Sequence, residues 1–176
     1  MGQLDAKNTA TNTDWLVAYT KPRNEKKVLE RLQAMGIDVY LPLQRTLKQW
    51  SDRKKWVNEP LFRSYIFVRP TLKEYYSVVQ TDGVVRYVSF AKQVSKVPNS
   101  TIEQIKYLLN EPGVNIEVIQ EHIAPGTHIT ISMGAMRGME GEVVEHRGTQ
   151  KLIVRMESIS HSILVTLPRS YVELTK

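Results

Sequence analysis

The apolar residues in the front half of the chain follow two different spacings. A continuous apolar run over residues 15–20 predicts a buried strand. Pro22 begins a stretch with apolar residues at helical spacing, which predicts a helix, and Gly36 is in position to end that helix. Further strands are predicted at residues 37–43, 61–68 and 84–90, and further helices at residues 72–81 and after a capping box of Ser100 and Glu103. Strands mixed with short helices predict an α+β fold, an antiparallel sheet flanked by helices.

The pattern changes after residue 110. Residues 111–125 are bracketed by two Pro-Gly pairs and predict a linker. Short β-branched strands then alternate with turns, which is typical of a small all-β barrel. These strands lie at residues 128–132, 142–145, 152–156, 163–167 and 171–174. The sequence therefore predicts a disordered tail over residues 1–14, a first domain over residues 15–110 and a barrel domain over residues 126–176.

Composition excludes several classes of protein. With no cysteine, the chain has no disulfide, no thiolate zinc site and no cysteine nucleophile. No apolar run approaches the roughly 18 residues that a membrane-spanning helix needs. The polar start also lacks the apolar core of a secretory signal. We therefore expect a cytoplasmic protein.

Charge divides the chain at the same place as the hydrophobic pattern. Residues 1–110 contain 18 Lys and Arg against 10 Asp and Glu, a net charge of +8, whereas residues 111–176 contain 6 against 8, a net charge of −2. A basic region attached to a slightly acidic one indicates two modules with different partners. The basic module is the candidate for contact with phosphate, although surface lysines also serve solubility alone.

The side chains that commonly carry catalysis are scattered. No two of the four histidines (His122, His128, His146 and His161) are paired at metal-ligand spacing. Glu140, Glu142 and Glu145 fall on a predicted hairpin, where a solvated face is the simpler interpretation. A glycine-rich turn follows residue 133, but it lacks the Gly-Lys-Ser/Thr ending of a phosphate loop and leads into a strand. We predict that the protein is not an enzyme and has no catalytic residue, cofactor or metal.

Residues 44–58 form a basic segment in which aromatic side chains are interleaved. Its cations include Arg53, Lys54 and Lys55, and its aromatic residues are Trp50 and Trp56. Cations neutralise phosphates, and aromatic faces stack on bases. An exposed hairpin whose lysines only solvate it would have the same composition, so the residues alone leave both interpretations open.

The predicted strand at residues 61–68 is apolar on both faces. Strand alternation puts Tyr65 and Phe67 on one face and Ile66 and Val68 on the other. One face must pack on the helices of the domain. The other is then either an aromatic patch that binds a partner or a second buried face, and the pattern alone favours burial on both sides.

Four stretches of the chain resemble the NusG family of transcription factors. Residues 58–68 (NEPLFRSYIFV) are similar to the signature strand of the NusG N-terminal domain, and residues 15–23 (WLVAYTKPR) are similar to its opening strand. Residues 49–56 (QWSDRKKW) resemble the hairpin of UpxY-like members, and residues 134–144 (GAMRGMEGEVV) resemble a KOW motif. The likeness runs from about Trp15 to the end of the chain, and it is to the specialised paralogues of the RfaH and UpxY type.

The resemblance implies a front domain that binds the clamp helices of RNA polymerase, followed by an SH3-like KOW barrel. Holding the clamp closed suppresses pausing and termination. The implied function is therefore transcription elongation and antitermination, at specific operons such as surface polysaccharide clusters, while catalysis belongs to the polymerase. The positions that match the polymerase-binding aromatic residues are Tyr19, Phe62, Tyr65 and Phe67.

The resemblance also implies contact with non-template DNA or nascent RNA. The start and polar face of the first helix match the surface that meets the non-template strand in RfaH-like proteins, although a solvated helix face has the same pattern. The residues concerned are Lys21, Arg23, Asn24, Lys27 and Arg31. The basic segment adds Arg53, Lys54 and Lys55 to this set.

The barrel is the expected docking site for a ribosomal protein or a termination factor. Its net negative charge makes nucleic acid a poor partner. Ile159 is a large apolar residue in a predicted polar loop, and it is either offered to the partner or folded back onto the barrel core. We expect a monomer whose barrel is stable and does not switch its fold.

Two other functions agree with the same residues. One is a general housekeeping NusG factor. The other is an RNA-binding or ribosome-associated KOW protein that never contacts polymerase. Capture of core polymerase separates the second alternative from the two elongation factors.

Overall fold

The structure is a computed structural model that describes residues 14–50, 52–111, 114–120, 123–131, 137, 140–166 and 172–173. The front half contains β1 (Trp15–Thr20), α1 (Glu25–Ala34), β2 (Asp38–Tyr40), β3 (Leu43–Gln49), β4 (Lys54–Pro60), β5 (Tyr65–Arg69), α2 (Tyr75–Gln80), β6 (Val84–Tyr87), β7 (Ser89–Phe90), β8 (Gln93–Val94), β9 (Lys96–Val97) and α3 (Asn99–Asn110). The back half contains β10 (Asn115–Ile119), β11 (Thr127–Ile131), β12 (Glu140–His146), β13 (Thr149–Met156), a 3-10 turn (Glu157–Ile159), β14 (His161–Thr166) and β15 (Val172–Glu173). The predicted tail, except Asp14, and most of the glycine-rich turn lie outside the described residues.

An antiparallel sheet organises the front half, in the strand order β2-β5-β1-β6, and β9 also pairs with β1. Side chains alternate along each strand, so the sheet has two apolar faces. Ile66 shares one buried cluster with Val28 of α1 and Val78 of α2. Phe67, its neighbour on β5, belongs to the other face and shares a cluster with Ile102 of α3. The predicted α+β arrangement of a sheet between helices is therefore present.

The strand predicted over residues 61–68 is correct only in its second half. β5 begins at Tyr65, and the residues before it form a turn in which Ser64 has a φ of 65°. The backbone N–H of Ser64 donates to the Glu25 carboxylate at 2.7 Å. A side chain that satisfies a backbone group in this way favours a turn over a strand ladder. Phe62, inside this turn, is 1% exposed.

Helix α1 ends where the sequence predicts. Gly36 has a φ of 75°, in the left-handed region that glycine enters without a Cβ penalty. The next amide, of Ile37, donates to the carbonyl of Leu32 at 3.1 Å and closes the last turn.

Along the described residues, no helix has the length and apolar character needed to cross a membrane.

The capping box predicted for α3 is wrong. The helix begins at Asn99, and no side chain caps its first turn. Glu103 pairs with Lys106, one turn further along the helix, at 2.8 Å. Asn99 accepts a hydrogen bond from the indole of Trp15 at 2.9 Å, so a tertiary contact replaces the expected local one.

The C-terminal sheet has six strands in the order β10-β14-β13-β12-β11-β15. All five strands predicted after residue 126 are present, with shifted ends. The linker predicted over residues 111–125 needs correction, because residues 115–119 form β10. This strand pairs with β14 along its full length, from Asn115 opposite Thr166 to Ile119 opposite Ser162. The chain therefore enters the C-terminal sheet about ten residues earlier than predicted.

The two sheets share one buried apolar cluster. It joins Trp15 and Phe62 of the front half to Ile131, Met156 and Ile163 of the C-terminal sheet, and each of these five residues is at most 2% exposed. Buried apolar surface stabilises a fold by roughly 25 cal/mol per Å². The two halves are therefore packed against each other, although their patterns predict two modules.

Candidate functional site

Four aromatic residues selected from the sequence lie together on one face of the front sheet. Tyr19 of β1 lies opposite Tyr65 of β5, and their rings meet edge to face with centroids 5.5 Å apart. The rings of Phe62 and Phe67 meet in the same way at 6.0 Å. Edge-to-face contacts are favourable between aromatic rings. The structure therefore groups all four predicted residues.

Burial divides this group into two pairs. Phe62 and Phe67 are 1% and 0% exposed and belong to the core cluster. Tyr19 and Tyr65 are half-buried. The tyrosines therefore have surface that a partner can reach, and the phenylalanines support them from beneath; polymerase binding by the four residues stays a prediction.

The C-terminal sheet covers part of this aromatic group. The ring of His161, at the start of β14, meets Tyr65 at 5.6 Å and Phe62 at 5.8 Å, edge to face in both cases. The backbone carbonyl of Ile159 and the side chain of Gln120, at 3.0 Å, hold the two nitrogens of the His161 ring. The sequence assigned His161 no role, whereas the structure places its ring between the two sheets.

A cleft of about 900 Å³ lies beside the covered tyrosines. Its walls come from both sheets, so it exists only while they are packed together. The residues that line it are Tyr19, Leu61, Arg63, Ser64, Tyr65, Glu117, Val118, Ile119, Gln120, Arg147 and His161.

Few polar contacts fasten the C-terminal sheet over the front half. The Ser158 hydroxyl donates to the carbonyl of Lys96 at 3.1 Å, and the Gln44 amide donates to the carbonyl of Ile116 at 3.2 Å. Single neutral hydrogen bonds contribute about 1 kcal/mol each. The contact between the halves therefore depends mainly on the apolar cluster.

Ile159 is buried, and it is not exposed at a loop tip. It ends the short 3-10 turn after β13, is 5% exposed and belongs to the cluster that joins the two halves. Ser160, which follows it, takes the left-handed conformation with a φ of 54°. Of the two alternatives left open by the sequence, the structure shows Ile159 folded inward.

The predicted nucleic-acid residues of the first helix differ in availability. Asp82 accepts a hydrogen bond from Lys21 at 3.5 Å and pairs with Arg31 at 3.0 Å, which neutralises part of their charge. The Asn24 amide donates to the carbonyl of Pro22 at 3.1 Å, so it is committed to a local turn. Arg23 and Lys27 are exposed and have no ion pair with another described residue.

The predicted cations of the basic segment lie on a two-stranded hairpin formed by β3 and β4. Arg53 is in the turn, 4.0 Å from Asp52. Lys54 and Lys55 are successive residues of β4, so their side chains point to opposite faces of the hairpin. These three cations therefore do not share one face of the hairpin.

Sequence analysis missed an ion pair inside the C-terminal sheet. The guanidinium of Arg155 donates to both carboxylate oxygens of Glu142 at 2.9 Å, and the Glu142 side chain is 12% exposed. Arg155 also donates to the carbonyl of Ile123, and the backbone N–H of Gly126 donates to Glu142. The pair fastens residues 123–126 to β12 and β13, and it contradicts the solvated interpretation of Glu142.

We expect Glu142→Gln to lower the free energy of unfolding by about 2 kcal/mol, because charge-assisted hydrogen bonds become neutral ones. The hydrogen bond from Arg155 lowers the pKa of Glu142 to about 2, from 4.5. Its stabilisation is therefore full above about pH 4.5 and is lost as the pH falls towards 2. Urea unfolding at pH 7 and pH 3 measures both effects. Glu145→Gln, at an exposed position of the same strand, is the control, and equal losses in the two variants would contradict the assignment.

Comparisons with known proteins agree with this architecture. The family model described as NusG, transcription termination factor, matches residues 13–106, which is more than half of the chain. A transcription termination/antitermination protein NusG of Streptococcus pyogenes serotype M3 is 28% identical over 154 residues, covering 81% of this chain and 86% of that protein. The corresponding protein of Staphylococcus carnosus is 24% identical, covering 74% and 78%. A solved structure of Thermotoga maritima NusG, described by its domain interaction, has a TM-score of 0.52 at 22% identity and covers 93% of this chain and 97% of that one. The matched residues include the sheet with its aromatic group and make up more than half of the chain. This protein therefore belongs to the NusG family of transcription factors.

Proposed function

We propose that this protein is a transcription elongation and antitermination factor that binds RNA polymerase through Tyr19 and Tyr65. The observation that carries the proposal is the pair of half-buried tyrosine rings on the face of the front sheet, supported by Phe62 and Phe67. Large aromatic side chains above a packed base are typical anchors of protein interfaces. By keeping the polymerase in its elongating form, the factor suppresses pausing and termination. It acts in the cytoplasm and leaves catalysis to the polymerase.

Binding at this surface requires the C-terminal sheet to move. His161 contacts Tyr65 in the state described, so the sheet and the polymerase compete for one surface. The test is capture of core polymerase by the full chain, followed by transcription in vitro across a pause and a terminator. We expect capture and increased readthrough. A chain that binds RNA or ribosomes but captures no polymerase would support the RNA-binding KOW alternative.

We further propose that the factor serves particular operons, such as surface polysaccharide clusters. The supporting observations are the likeness of residues 49–56 and 58–68 to the specialised paralogues and an identity of only 28% with a NusG protein over most of the chain. Transcript profiling after deletion of the gene tests this proposal. A change confined to a few long operons is expected, and a change across most transcripts would indicate a general NusG factor.

The C-terminal sheet is proposed to dock a ribosomal protein or a termination factor. Ile159 remains the proposed centre of that contact, but it is buried against the front half in the state described. A partner therefore gains access to it only after the two halves separate. Binding of polymerase and docking of this second partner therefore both require the C-terminal sheet to separate from the front half.

Two exposed cations, Arg23 just before α1 and Lys27 within it, are proposed to contact the phosphates of non-template DNA. Each phosphate contact adds about 0.7 to the slope of log affinity against log salt for single strands, so Arg23→Ala with Lys27→Ala should lower the slope by roughly 1.4. Titrations with a labelled single-stranded DNA at several salt concentrations measure it. The control is Lys21→Ala with Arg31→Ala, because Asp82 already holds both side chains. An unchanged slope in the first variant would exclude this contact.

A further inference from the structure

The β3–β4 hairpin has two faces of different character. Its register sets Arg45 opposite Asn58, Leu47 opposite Trp56, and Gln49 opposite Lys54. Because opposite residues of an antiparallel pair point to the same side, these six side chains share one face, called here the outer face. All six are exposed, and Trp56 and Leu47 are 54% and 46% exposed.

The opposite face of the hairpin is engaged within the protein. Gln44 donates to the backbone of β10, and Lys48 forms an ion pair with Glu59. Thr46 and Val57, which lie opposite each other on this face, are half-buried. The outer face is therefore the more exposed of the two faces.

The outer face combines one large ring with cations and amides. The guanidinium of Arg45 lies over the Trp56 ring, 4.8 Å from its centroid. Lys54 is two positions from Trp56 on the same strand, so its ammonium belongs to the same face. Gln49 and Asn58 add hydrogen-bonding amides, and none of the six residues is a carboxylate. The face therefore complements a polyanion that carries flat apolar groups.

We propose that the outer face binds single-stranded RNA, a second nucleic-acid contact beside the one proposed for Arg23 and Lys27. A base stacks on the Trp56 ring or on the Arg45 guanidinium that covers it, and Lys54 pairs with a neighbouring phosphate. A paired base cannot offer its face to Trp56, so the ligand is single-stranded. The amides of Gln49 and Asn58 flank the ring and can bond a 2′-hydroxyl, which favours RNA over DNA.

This assignment separates two cations that the sequence leaves equivalent. Lys54 lies on the outer face beside Trp56, whereas Lys55 lies opposite Lys48 on the engaged face. The two lysines are adjacent, both are exposed, and neither has an ion pair with another described residue. Replacing either lysine with glutamine therefore removes the same charge, but from opposite sides of one strand, which makes the two variants matched controls.

The experiment measures fluorescence anisotropy of a labelled 12-nucleotide oligouridine titrated with the full chain. Trp56→Ala should weaken binding by about tenfold or more, the loss typical of one base stack. Trp56→Phe should stay within about threefold of the wild type, because it keeps a ring. Lys54→Gln should weaken binding by a larger factor than Lys55→Gln. Circular dichroism confirms that the variants are folded, as expected for exposed positions.

Four results would overturn the proposal: wild-type affinity in Trp56→Ala, equal losses in Lys54→Gln and Lys55→Gln, equal affinity for oligothymidine, or competition by polyglutamate as strong as by unlabelled oligouridine. Tyr65→Ala is measured in the same titration and should bind oligouridine normally. Trp56→Ala should in turn still be captured by core polymerase. Failure of the RNA contact and failure of the polymerase contact are therefore distinguishable.

Discussion

Tyr65→Ala is expected to weaken the binding of RNA polymerase by about thirtyfold or more, which corresponds to about 2 kcal/mol for a central aromatic anchor. Tyr65 is half-buried, and its ring contacts Tyr19 and His161. The fold should therefore survive the substitution. Losing the ring also loosens the contact with His161, which by itself would favour binding, so a measured loss understates the contribution of the anchor. Capture of purified core polymerase over a concentration series measures the change.

The matched control for this substitution is Phe90→Ala. Phe90 is also a large aromatic residue, 84% exposed, but it lies on the short β7–β8 hairpin, outside the aromatic group. Its removal should leave polymerase capture unchanged. Wild-type affinity in a folded Tyr65→Ala variant would show that the polymerase binds elsewhere.

Ile159→Ser is expected to lower the free energy of unfolding by roughly 2–4 kcal/mol, the usual loss when a buried aliphatic side chain is removed. Ile159 is 5% exposed within the cluster shared by both halves. Thermal unfolding of the full chain measures this effect as a fall in the melting temperature. Ser158→Ala removes only one hydrogen bond from the same turn and should cost about 1 kcal/mol. An unchanged melting temperature for Ile159→Ser would mean that this residue is not part of the core.

The local pattern of the chain predicted most of the C-terminal strands, but not β10 and not all of the ends of the elements. Short β-branched segments separated by turns predicted β11 to β15. β10 was missed because it lies between two Pro-Gly pairs, which predict a linker, whereas its pairing with β14 is a contact distant in sequence. The turn before β5 was missed for a similar reason, because the Glu25 carboxylate that stabilises it is distant in sequence.

The candidate site was predictable in its residues and not in its surroundings. The aromatic group followed from the likeness of residues 15–23 and 58–68 to one family, and alternation correctly gave its two faces. No local pattern indicates that the His161 ring, almost a hundred positions later, lies against Tyr65. The pairing of Asp82 with Lys21 and Arg31 is likewise a tertiary contact, and it changes which cations of α1 are available.

The early start of β10 fixes how far the C-terminal sheet can travel. Only residues 111–114 join the end of α3 to the first residue of β10, and an extended chain spans at most about 3.6 Å per residue. A displaced sheet therefore stays within roughly 15–20 Å of its attachment point. A competitor held by so short a connection has an effective concentration on the order of millimolar. For the proposed binding through the tyrosines, we therefore expect the apparent affinity for polymerase to fall in proportion to the fraction of chains whose tyrosines are uncovered. Lengthening or shortening this connection would tune recruitment without altering a single contact residue.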